Sequence, residues 1–194
     1  MTKRCRWANH HELLTIYHDK EWGVPCHDDK DLYECLVLQG LQAGLSWMTI
    51  LKKRENLRKA FDDFDYKKIA KYGSEKIEEL MDNSDIIRNR LKINAIITNA
   101  KALIKVQKEF GSFDKYIWKF TDYKPIIHGF KAYSEMPSTS EESEKMSKDL
   151  KKRGFKFVGP TICYSLLQAA GLINDHVISC FRFNEITQSI NKSE

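Results

Sequence analysis

One glutamine sits where an apolar side chain belongs, and it is the first residue here whose chemistry asks for an account. Counted as a helix from Asp31, the apolar positions Leu32, Cys35 and Leu36 continue at three- and four-residue spacing to Gln39 and then Ala43. A buried amide without a partner costs roughly 1–3 kcal/mol. Gln39 must therefore either meet a backbone carbonyl in a core or face a hollow that a ligand fills. Gly44 and Ser46 break the pattern just before Trp47. A polar side chain beside a glycine bend and an indole reads as a pocket floor, with a satisfied core glutamine as the plainer alternative.

Cysteine and histidine offer a second chemistry. Cys5 and His18 flank the first turn of the chain, and His176 and Cys180 stand four apart, on one face if that segment is helical. The four would make a Cys2His2 set of soft thiolates and imidazoles, the tetrahedral donor set that zinc accepts. Such a site would staple two chain ends that otherwise fray. Spacing alone does not select it: Cys26-His27 competes as a pair, and buried thiols with surface histidines would use the same residues.

Two basic clusters suggest phosphate neutralisation. Lys52, Lys53, Arg54, Arg58 and Lys59 form one; Lys148, Lys151, Lys152, Arg153 and Lys156 form the other. Either could equally be a solvated helix face. The second runs into Gly154, an apolar turn with Phe157, Val158 and Gly159, and Pro160 at a natural first helical position. A glycine turn at a helix N-terminus leaves backbone N–H groups free to hold a phosphate. An ordinary helix–helix connection would look the same.

The elements that position these residues read almost entirely as helix. The spacing predicts helices over 11–20, from Asp28 or Asp29 towards Gly40, from a Ser46 cap, and after Gly73-Ser74. The clearest period runs from Arg90 to Phe110 through Ile93, Ile96, Ile97, Ala100, Leu103 and Ile104. A short aromatic helix over 113–120, a loop over 121–139, and helices on either side of the glycine turn complete an all-α chain. Strand runs do not rise above fragments.

Composition narrows the classes. The chain has 194 residues, 42% hydrophobic, with 10 Phe, 8 Tyr and 4 Trp, enough for one core or two small lobes. Net charge is +5, from 32 basic and 27 acidic residues, too mild on its own to imply nucleic acid. Five irregularly spaced cysteines argue for reduced thiols over a secreted disulfide framework. MTKRCRWANHHE holds no apolar signal core, and no apolar run approaches a membrane span, so a cytoplasmic protein is expected. The Cys-x-x-Cys of zinc deaminases, the P-loop and the G-x-S-x-G elbow are all missing.

Five stretches taken together resemble the 3-methyladenine DNA glycosylase I family of the helix-hairpin-helix glycosylase superfamily. They are RCRW (4–7), YHDKEWGVP (17–25), QAGLSWMTILKKRE (42–55), IIRNRLKINAIITNA (86–100) and KDLKKRGFKFVGPTICYSLLQAAGLINDH (148–176). The resemblance covers nearly the whole chain, and its length and order make it highly specific. It implies an all-α, helix-hairpin-helix glycosylase-like unit over 1–184 with a flexible tail over 185–194. One structural zinc per chain would be held by Cys5, His18, His176 and Cys180, tying the terminal segments together. The alkylated base would lie among Trp7, Tyr17, Trp22 and Trp47, with Gln39 and Tyr17 at the catalytic positions. DNA would meet Lys151, Arg153, Lys156, Val158, Gly159 and Thr161 at the hairpin, and Leu45 in the bend beside the gap left by the flipped nucleotide.

The chemistry implied suits those residue types. N3-methylation puts positive charge on adenine and weakens its glycosidic bond, so extrusion, an aromatic sandwich and a water suffice. The expected products are an abasic site and free 3-methyladenine, with no lyase lysine. The partner is double-stranded DNA bearing alkylated adenine; the enzyme would be a monomer with no membrane role.

Two departures qualify the resemblance. The family carries glutamate where this chain has Gln39, and the lost charge could cost several kcal/mol of transition-state stabilisation in a low-dielectric pocket. Leu14 replaces a tyrosine of some relatives. Asp175 reads as a helix cap in preference to a substitute carboxylate. A catalytically impaired protein that flips and binds alkylated bases without excising them is the alternative reading, and a zinc-stabilised helical adaptor is a third.

Overall fold

The computed structural model describes residues 3–192. Among them ten α-helices follow one another: α1 (Glu12–Lys20), α2 (Asp29–Gln42), α3 (Trp47–Ala60), α4 (Tyr66–Ile69), α5 (Ser74–Asp82), α6 (Arg90–Phe110), α7 (Phe113–Trp118), α8 (Glu141–Lys152), α9 (Pro160–Ala169) and α10 (Phe181–Lys192). Their starts are set by short polar side chains that satisfy first-turn N–H groups. Asp28 accepts from Lys30 and Asp31, Ser46 from Thr49, and Asn89 from Lys92. Ser140 and Ser143 form a reciprocal capping box ahead of α8.

The main core is gathered by α2, α6 and α9. Leu32 and Leu36, Ile93 and Leu103, and Leu167 are all essentially inaccessible. The face of α6 expected from the sequence is the buried one, and the helix spans the residues that the period indicated. A smaller apolar cluster lies apart, joining Cys5, Tyr17, Trp22 and Leu51 to Val177 and Cys180. The segment around Lys3–Cys5 and the segment over 177–181 therefore meet, where Phe181 N–H donates to Lys3 C=O at 2.9 Å.

Three features differ from the sequence reading. Ile126–Ile127 pairs in parallel with Ile173–Asn174, as strands β1 and β2, pinning the 121–139 loop. Two-residue strands carry no readable period. Residues 181–192 form α10, with Ile186 buried, where a flexible tail was expected from 185; Ser193 and Glu194 lie outside the described residues. Residues 176–180 are a turn and not a helix, yet His176 and Cys180 still converge. Among the described residues no helix is long and apolar enough to cross a membrane.

Candidate active site

A cavity of about 570 Å³ opens between α1, the end of α2, the start of α3, α9 and the loop at 133–138. All five predicted base-contacting residues, Trp7, Tyr17, Trp22, Gln39 and Trp47, line it. Leu14 does as well, so the tyrosine-to-leucine departure falls on the cavity wall. The rings brace one another: Tyr17 and Trp47 lie 5.1 Å apart at 54°, and Trp7 meets Trp22 edge-on at 5.1 Å. Such tilted contacts fix the aromatic faces before any ligand arrives.

Gln39 is 5% exposed, and among the described residues its amide takes no hydrogen bond. The core-glutamine alternative fails at this point, because no backbone carbonyl satisfies the side chain. Trp47 Nε1 is buried and also unpartnered. The unpartnered Gln39 amide on the wall of an aromatic cavity suits a flat heterocycle that brings its own donors and acceptors, while Trp47 offers its ring and keeps its N–H enclosed. Burial pushes the Tyr17 phenol well above its ordinary range, so it remains a neutral donor.

Tyr17, Gln39 and Trp47 also form a partition. Behind them lies a second cavity of about 420 Å³, where Arg54 bridges Glu21 (2.7 Å) and Glu34 (2.6 Å), and Arg58 joins Glu34 at 2.9 Å. Arg54 and Arg58 of the first basic cluster are thus turned inward, against carboxylates, and Lys53 donates to the Ser84 and Asp85 carbonyls. That cluster is mainly structural.

The third wall was not anticipated. Tyr164 and Gln168 of α9 line this cavity, and both donate to Asp175 Oδ2, at 2.6 and 2.7 Å. His128 closes on Oδ1 at 2.6 Å, and this contact draws its pKa upward. Asp175 is therefore no helix cap; it is a buried carboxylate that orients two cavity residues. A signal was present: Tyr164 and Gln168 are a polar pair four apart within an apolar run, the same irregularity that marks Gln39.

Cys5, His18, His176 and Cys180 are all buried, with one donor atom each inside a 4.8 Å cluster. His176 Nδ1 lies 3.1 Å from His18 Nε2, and Cys180 Sγ lies 3.4 and 3.5 Å from the two imidazoles. The outer ring nitrogens are also engaged: His18 Nδ1 meets Asp19 at 2.8 Å, and His176 Nε2 donates to Trp22 C=O at 2.9 Å. Carboxylate and carbonyl partners of this kind fix histidine tautomers for metal binding. The group can hold a four-coordinate metal ion. Gly23, at φ +79°, passes so close to the His176 ring that a Cβ would sit 3.1 Å from it. Cys26 and His27 take no part; His27 stacks on Trp118 and pairs with Asp114.

The expected DNA contacts are placed unevenly. Leu45 is exposed on the bend at Gly44, whose φ of +77° suits glycine. Lys151 and Lys156 are exposed, and Thr161 lies at the cavity rim. Cys163 N–H is the first of α9 to pair, with Gly159 C=O, which leaves the Thr161 and Ile162 N–H groups open. Val158 is buried, backbone included, and its C=O accepts from Ser147 Oγ at 2.6 Å, so the expected Val158 contact is not presented to a strand. Arg153 is committed to Glu109 (2.6 Å) and Asp149 (3.0 Å), with its guanidinium over Phe110 and Tyr116.

The methyladenine glycosylase family profile matches residues 7–183. DNA-3-methyladenine glycosylase 1 of Escherichia coli (strain K12) is 48% identical over 178 residues, covering 92% of this chain and 95% of the relative. The crystal structure of a 3-methyladenine DNA glycosylase I superposes with a TM-score of 0.90 at 48% identity, over 92% of this chain and 98% of that one. A tyrosine-to-phenylalanine variant of a 3-methyladenine DNA glycosylase I, solved with 3-methyladenine bound, gives 0.89 at 36% identity over 92% and 96% of the two chains.

Proposed function

Because this chain belongs to the methyladenine glycosylase family, we propose that the cavity floored by Gln39 takes 3-methyladenine rotated out of double-stranded DNA. The chain is a monofunctional DNA glycosylase of base-excision repair: it hydrolyses the N-glycosidic bond and leaves an abasic site and free base. The unpartnered Gln39 amide, set among Trp7, Tyr17, Trp22 and Trp47, carries the assignment of the site.

The reaction asks little acid chemistry of the protein. The lesion is a cation, held by π faces and by dipoles of the site. As the bond breaks, its electrons pass to the base, which leaves neutral, and positive charge moves onto the deoxyribose. Gln39 can accept from the exocyclic amine through Oε1 and donate through Nε2, which preserves recognition of the adenine edge. It supplies no negative charge to either cation, so excision is slower than with glutamate. Single-turnover release of 3-methyladenine from methylated DNA tests the reading; tight binding of abasic-site DNA without release would favour the lesion-binding alternative.

In this reading the Cys/His group holds one zinc per chain. Zn–S near 2.3 Å and Zn–N near 2.0–2.1 Å imply tetrahedral edges of roughly 3.3–3.8 Å. Four of the six donor separations, 3.1 to 3.7 Å, support that fit, and all six lie within 4.8 Å. The ion would be a staple, away from the reacting bond. The enzyme works as a cytoplasmic monomer, with the Leu45 bend and the 156–161 hairpin on the DNA.

A further inference from the structure

Helix α6 touches both elements assigned to DNA, through two polar side chains on one face. Lys92, 8% exposed, donates from Nζ to Leu41 C=O at 2.8 Å and to Ala43 C=O at 2.6 Å. Those are orphan carbonyls at the end of α2, where a cation also complements the helix dipole. The bend bearing Leu45 follows at once. Asn99, 4% exposed, accepts from Lys156 N–H at 2.7 Å and donates to Lys156 C=O at 3.0 Å. That pair of hydrogen bonds grips the hairpin backbone much as a neighbouring strand would. Seven residues separate Lys92 from Asn99, about two helical turns, so both project from the same side.

The elements so gripped also meet each other. A Cβ on Gly40 would lie 3.4 Å from Phe157 Cβ, so the end of α2 and the hairpin are in contact. Phe157 adopts φ +54°, a strained conformation for a side-chain-bearing residue that needs surrounding bonds to persist. Neither Lys92 nor Asn99 lines the base cavity. Nothing in base recognition therefore requires a buried ammonium and a buried amide here.

We propose that Lys92 and Asn99 are positioning residues that fix the Leu45 bend and the 156–161 hairpin at one preset separation, so that both engage the duplex together. This rests on the reading that those two elements contact DNA. Lys92→Met and Asn99→Ala should weaken binding to abasic-site DNA and slow excision roughly tenfold or more, the scale of a misplacement near 1 Å. Binding of free 3-methyladenine, followed by tryptophan fluorescence, should stay as in the parent protein. Asn99→Asp keeps the acceptor for Lys156 N–H and loses the donor, so it should fall between, and it serves where a harsher variant does not fold.

Leu45→Ala tests the underlying reading separately. Weakened DNA binding in Leu45→Ala with none in the α6 variants overturns the brace and leaves the docking reading standing. Undiminished DNA binding in all of them overturns both. A parallel loss of free-base binding in the α6 variants also overturns the brace, since a general loosening of the fold would then explain everything.

Discussion

Tyr164 donates its hydroxyl to Asp175 at 2.6 Å while its ring lines the cavity that Gln39 floors. The carboxylate is almost wholly buried, and its other bonds go to Gln168 and His128. Replacing it with asparagine presents an amide to three donors at once. Asp175→Asn is expected to cost about 2–4 kcal/mol of stability and to weaken free 3-methyladenine binding. Denaturant titration and fluorescence quenching check the two effects; unchanged base affinity would show that the wall is only structural.

Restoring a carboxylate at the floor should help the reaction. Gln39→Glu places negative charge beside an aromatic cavity, where each 1.4 kcal/mol of added stabilisation is tenfold in rate. The single-turnover rate should rise by roughly ten- to a hundredfold. An unchanged rate would mean that shape and hydrogen bonding at this position already do all that the reaction needs.

Trp47 should show opposite effects on stability and binding. Trp47→Phe keeps an aromatic face and removes a buried donor that has no partner. The ligand-free protein should hold or gain stability, while affinity for the free base falls by about 1 kcal/mol as the indole face gives way to a smaller ring. Thermal unfolding with and without 3-methyladenine reads both numbers in one experiment, and a loss of stability in the ligand-free protein would speak against the open donor.

Metal analysis should give about one zinc per chain, and strong chelation should lower the melting temperature. Cys5→Ser and His176→Ala should each lose the ion and unfold at lower temperature. Full retention of metal by both would strike them from the ligand set.

Two basic residues of the α8 end should part company. Lys151 is exposed, and Lys151→Ala is expected to lower the salt dependence of DNA binding by about one phosphate contact. Arg153 is held by Glu109 and Asp149, and hydrogen bonds from Arg153, Tyr116 and Lys119 pull the Asp149 carboxyl down against the upward push of burial. Arg153→Ala should therefore reduce stability while leaving the salt dependence nearly intact.

Much of the site was legible because its residues violate the period of the helices that carry them. Gln39 interrupts an apolar stripe, and α6 announces its buried face over five turns of clean spacing. The metal group was legible only as residue types, since the turn at 176–180 has no helical spacing to read; the resemblance to a family chose among the pairs. Asp175 could not be placed from sequence, because its partners come from α9 and from the short β1–β2 pairing. Arg153 misled for a related reason. A row of basic residues looks uniform until Glu109, forty-four positions away, is brought against one of them.

Trp7 and Tyr17 lie between Cys5 and His18, and the Trp22 carbonyl receives His176. Three of the five proposed base-contacting residues, Trp7, Tyr17 and Trp22, thus lean on anchors at 176 and 180 that lie far along the sequence. A fragment lacking residues 176–180 would display these indoles unsupported, so the proposed selectivity for a damaged base is tied to the same four side chains that close the Cys/His group.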